Sequence, residues 1–72
     1  MNLSVRFGGR IRKMRKMLNI SQEELADLSG LNRSHMGEIE RGQASPTLIT
    51  IGRIATALNC SIAQLVHDNP SH

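Results

Sequence analysis

A chain of 72 residues suffices for one domain with a modest core and excludes a second. With no Trp or Tyr and a single Phe, that core must come from Leu, Ile, Met and Ala, which favours helices over sheets. The net charge of +3 is modest but uneven: Arg6, Arg10, Arg12, Lys13, Arg15 and Lys16 all precede residue 20, where no acid occurs, a distribution that fits a polyanionic partner as well as a solvated helix face. Cys60 is the only cysteine, which rules out an intramolecular disulfide and suits a reduced cytoplasmic setting. No apolar run approaches the roughly 18–20 residues of a membrane span, and the N-terminus lacks a signal-peptide core. A soluble cytoplasmic protein without membrane association is therefore expected.

Phe7, Ile11, Met14 and Leu18 fall within roughly 60° of one another on a helical wheel and define helix one, starting near Ser4 or Val5. Arg15 projects about 70° from that stripe, at its edge, whereas Arg12, Lys13 and Lys16 point well away. Ser21 and Glu24 form a capping-box pattern that opens helix two, Gln22 to about Ser29. Gly30 suits the left-handed exit, Leu31 re-enters the core, and Asn32 caps helix three. Gly42 closes helix three, and Pro46 discourages continuation through the polar connection that follows. Thr47 caps helix four, whose stripe is Leu48, Ile51, Ile54, Ala55 and Leu58, with Ile49, Arg53 and Thr56 on the other side. Asn59 suits a left-handed helix end. Ser61 and Gln64 open a short fifth helix with Ile62 and Leu65 inward, and residues 67–72 read as a frayed tail. The fold class is all-α: five short helices in one compact domain, residues 1–72.

Catalysis has little to stand on. No triad of nucleophile and base is apparent, the histidines and the cysteine lack metal-ligand spacing, and Gly8-Gly9 lacks the rest of a phosphate loop. No enzyme activity, metal or cofactor is expected. Residues 22–41 are more informative: Leu25, Ala26, Gly30, Leu31, Met36 and Ile39 place apolar, small and turn residues where two steeply crossing helices need them. From Phe7-Gly8 through ISQEELA, LNRSHMGEIERG and SPTLITIGRIATALNCSIAQL, the chain resembles the helix-turn-helix regulators of the Cro and phage-repressor type. Ser29 departs from the aliphatic residue many such motifs carry there.

The resemblance implies sequence-specific binding of double-stranded DNA, with helix three (33–41) entering the major groove by its N-terminal residues. Arg33 can then fork onto guanine O6 and N7. Ser34 can reach a base or merely serve the helix start, and His35 can meet a base acceptor, a phosphate or solvent. Glu38, on the outward strip with Ser34 and Arg41, either accepts from cytosine N4 or is simply solvated. Gln22 matches a glutamine that touches phosphate and braces the recognition helix. Asn32, Arg41, Gln43, Ser45 and Arg10 complete the residues placed at the DNA backbone.

Glu40 lies about 40° from Met36 on the wheel. It is therefore an inward acid, which is costly unless paired. Arg15 is the available partner, and the resemblance implies an Arg15–Glu40 pair that fixes helix three against helix one. Gly37, between the inward and outward faces, would allow close approach of the helix backbone to DNA. The resemblance further implies a homodimer on a two-fold related operator, for which Ile49, Ala63 and Val66 are the candidate interface. Three kinds of single-domain relative are in view: restriction-modification controller proteins, compact prophage repressors and antitoxins. The run LNRSHMGEIERG looks most like the controllers. RNA polymerase or a toxin would be the further protein partner, and a module serving protein interaction alone is the rival reading.

Overall fold

Each helix begins where a short polar side chain turns back on the backbone three residues ahead. The computed structural model describes residues 2–66, so the tail at 67–72 lies outside the described residues. Its helices are α1 Leu3–Met17, α2 Gln22–Ser29, α3 Arg33–Glu40, α4 Leu48–Ala57 and α5 Ile62–Val66. Asn2 Oδ1 accepts the Val5 N–H at 2.8 Å, so α1 starts slightly ahead of the Ser4 or Val5 suggested by its apolar stripe. Ser21 and Glu24 form the reciprocal box, Glu24 N–H to Ser21 Oγ at 3.0 Å and Ser21 N–H to Glu24 Oε1 at 2.8 Å. Asn32 Oδ1 takes the His35 N–H at 2.7 Å, Thr47 Oγ1 that of Thr50 at 3.2 Å, and Ser61 Oγ that of Gln64 at 3.0 Å. Each such cap is worth about 1 kcal/mol to a helix otherwise too short to stand alone. Chain reversals fall on the left-handed residues Asn19, Gly30, Gly42 and Asn59.

The core joins Phe7 and Ile11 of α1, Leu25 and Ala26 of α2, Met36 and Ile39 of α3, Ile54 and Ala55 of α4, Leu58, and Leu65 of α5. Three residues placed inward by the wheel are exposed. Leu18 is half exposed and Leu48 largely so, and Ile62 is also on the exposed side. All three stand at helix ends, Leu18 one residue past α1 and the other two at the first positions of α4 and α5. There the neighbouring turn that would cover them is missing.

α1 crosses α3 at Gly8. A Cβ built there would lie 2.6 Å from the Glu40 carbonyl oxygen and would also collide with that of Ile39. Only a hydrogen fits, so the two backbones touch. Ile11 and Arg15, farther along α1, then lie beside the end of α3.

Candidate nucleic-acid interface

The first turn of α2 and the outward face of α3 share one side of the molecule because the Gly30–Asn32 turn brings the helices together around Leu25, Ala26, Met36 and Ile39. With Met36 and Ile39 fully buried, α3 can present only its other face. Arg33 and Ser34 are exposed in its first turn and His35 is partly so. His35 Nδ1 stands 3.5 Å from Glu38 Oε1. The two residues are three positions apart, and the contact becomes an ion pair only when the imidazole is protonated. Glu38 remains about half exposed beside it.

Glu40 is 4% exposed and held by donors from two other helices. Arg15 donates Nε to Oε2 at 2.9 Å and Nη2 to Oε1 at 3.0 Å, a bidentate fork. Its third nitrogen, Nη1, donates to the Ile20 carbonyl at 3.1 Å. Gln22 adds Nε2 to Glu40 Oε1 at 3.2 Å. One carboxylate therefore ties α3 to α1, to the link after α1, and to the start of α2. The geometry is that of a charge-assisted pair with a further donor on the carboxylate.

Gly37 is buried in the chain itself. A Cβ on it would meet Arg41 Nη1 at 2.9 Å and Gln22 Oε1 at 3.4 Å. The space expected to admit DNA is therefore lined by two of the chain's own side chains. Arg41 donates Nε to Gln43 Oε1 at 3.0 Å. Gln22, Gly37, Glu40, Arg41 and Gln43 are thereby gathered into one group. Asn32 spends its Oδ1 on the α3 cap.

The remaining residues assigned to the DNA backbone lie elsewhere. Ser45 shares a 3.0 Å hydroxyl contact with Ser4 at the start of α1. Arg10 reaches the Gln64 carbonyl of α5 at 3.4 Å, beside an apolar cavity of about 360 Å³ lined by Leu3, Phe7, Ile51 and Leu65 among others. Ile49, Ala63 and Val66 are all exposed. Leu48, adjacent to Ile49, joins them as an exposed apolar residue that the wheel had hidden. Cys60 packs partly against the core, and burial pushes its thiol up from the ordinary value, which disfavours the reactive thiolate. Among the described residues no group of His, Cys, Asp or Glu is arranged to hold a metal, and no helix is long and apolar enough to cross a membrane.

The helix-turn-helix family profile matches residues 11–65. The chain belongs to the helix-turn-helix family. This helix-turn-helix chain is 43% identical over 56 residues to control protein C.SmaI of Serratia marcescens, spanning 78% of this chain and 67% of that protein. Among solved structures it resembles the restriction-modification controller protein C.AhdI from Aeromonas hydrophila, at a TM-score of 0.83 and 48% identity over 85% of this chain and 92% of that one. It also resembles the P22 c2 repressor in complex with a synthetic operator, at a TM-score of 0.81 and 30% identity over 88% of this chain and 96% of the repressor. The chain is a helix-turn-helix transcriptional regulator of the DNA-binding class. Its relatives carry the names of regulators and controllers, not of enzymes.

Proposed function

We propose that this regulator binds a two-fold related operator in double-stranded DNA as a homodimer and controls a restriction-modification operon. The observation that carries the reading is the division of α3: Met36, Ile39 and Glu40 are locked inward, leaving Arg33 and Ser34 exposed at the helix start. Arg33 reads guanine, Ser34 and His35 reach neighbouring base edges or phosphate, and Glu38 accepts from a cytosine amino group once His35 turns to the DNA. Gln22, Asn32, Arg41 and Gln43 hold phosphates beside them, with Ser45 and Arg10 as outlying backbone contacts. A unit of this size touches too little DNA for selective binding, and two units one helical turn apart supply the rest. The controller assignment draws on the similarity to C.SmaI and C.AhdI. The protein would act through its one domain in the cytoplasm, with RNA polymerase as the further partner if it activates.

Fluorescence anisotropy with a duplex taken from upstream of its own gene, against a shuffled duplex of equal length, tests the proposal. Wild-type protein should prefer the upstream duplex and weaken steeply with salt. Arg33→Ala should erase most of that preference, by about 1–3 kcal/mol. Equal affinity for both duplexes, together with tight complexation of a neighbouring gene's product, would instead favour a toxin as the main partner.

A further inference from the structure

We infer that Gly37 is a positioning residue whose missing side chain forms a slot for the Arg41 guanidinium, holding that cation against α3 ready for a DNA phosphate. The inference deepens the DNA-binding reading and rests on it for the phosphate alone; the slot itself belongs to the free protein.

Residue 41 lies one turn beyond residue 37, and side chains on a helix lean back toward the N-terminus. Arg41 follows that direction and lays its guanidinium over Gly37, 2.9 Å from where a Cβ would stand. Two glutamines frame it. Gln43 Oε1 accepts from Arg41 Nε at 3.0 Å. Gln22 commits its Nε2 to Glu40 Oε1, an acceptor-only carboxylate, which turns its Oε1 toward the slot, 3.4 Å from the same Cβ position. The amide cannot flip without presenting its oxygen to the carboxylate. The buried Arg15–Glu40 pair thus orients Gln22, and Gln22 walls the slot that Arg41 fills.

A cation on a long free side chain loses rotamer freedom when it binds a phosphate, and one already seated loses less. The slot therefore raises affinity through preorganisation, on every DNA sequence alike. An alanine at position 37 is in ordinary contact with Gln22 Oε1 and crowds only the far end of the flexible Arg41 side chain, so the helix tolerates it while Arg41 is expelled.

Two readouts on Gly37→Ala test this. In the DNA-free protein, the 15N relaxation of the Arg41 Nε–H should report an ordered group in wild type and a mobile one in Gly37→Ala, with the melting temperature equal or higher. An Arg41 Nε–H as ordered in the variant as in wild type overturns the slot, whatever the DNA measurements show. With a random-sequence duplex as probe, Gly37→Ala should bind about twofold to tenfold more weakly, the scale of immobilising one long side chain. Its salt slope should stay near that of wild type, because the phosphate contact is still made, whereas Arg41→Ala loses about 0.9 for one phosphate. In an Arg41→Ala background, Gly37→Ala should then cost nothing further. A full additional tenfold loss in that background would mean that Gly37 approaches DNA directly, and would overturn the positioning role. A wild-type protein with no affinity for any duplex defeats the DNA-binding reading instead, and the relaxation result distinguishes the two failures.

Discussion

Glu40 and Arg33 show two opposite uses of a charged residue on one eight-residue helix. Glu40 is buried and takes three donated bonds from Arg15 and Gln22, so removing either member of the ion pair strands its partner in a dry site. Arg15→Ala or Glu40→Ala should destabilise the fold by about 3–5 kcal/mol. Arg33→Ala, at an exposed position, should stay within about 0.5 kcal/mol of wild type. Thermal melts followed by circular dichroism compare the three directly, and equal melting temperatures would sink this division of labour. The inward position of Glu40 was legible from its angle to Met36, and Arg15 from its place at the edge of the α1 stripe. That Gln22 braces α3 was implied by the resemblance, but that it does so through Glu40 was not legible, because that link depends on how α2 and α3 cross. The His35–Glu38 contact has a visible signal in its three-residue spacing.

The starts of α2 to α5 were the most legible elements, since each cap is closed within four residues and needs no knowledge of the rest of the fold; α1, placed from its apolar stripe at Ser4 or Val5, starts earlier on Asn2. Burial of residues at helix termini was the least legible: the wheel treats Leu18, Leu48 and Ile62 as if another turn flanked them. The crossing of α1 on α3 was invisible for a related reason. Gly8 and Gly9 look alike in sequence, and only the packed structure shows that the first touches the Ile39 and Glu40 carbonyls while the second has nothing within 4 Å. The pair makes an internal control. Gly9→Ala should stabilise α1 by about 1 kcal/mol through helix propensity. Gly8→Ala should force α1 off α3 and cost at least the roughly 1–3 kcal/mol of an overpacked site. Urea denaturation midpoints that shift alike in the two variants would refute a backbone contact at residue 8.

On the scale of the whole molecule, the side proposed to face DNA and the exposed apolar residues Leu48, Ile49 and Val66 lie on different helices, so the proposed reading and pairing need not compete for the same surface. Exposed apolar side chains are ordinary one at a time, and two adjacent at the start of α4 are a better reason to look for a partner copy. Sedimentation velocity of Ile49→Glu should show a shift toward monomer at a concentration where the wild type is dimeric; an unchanged dimer would place the interface elsewhere. Such a monomer should retain its helicity, because Ile49 has no part in the core.

The shortness of α3 has a thermodynamic corollary. Eight residues are too few to stay helical in water unaided, and the attachments that sustain them reach back to Gly8, Arg15 and Gln22, far away along the chain. Ordering α3 and closing the domain are thus expected to be a single cooperative event. If α3 reads base edges as proposed, a half-folded chain would keep no partial grip on them, and specificity would disappear with the fold instead of degrading into a looser version of itself.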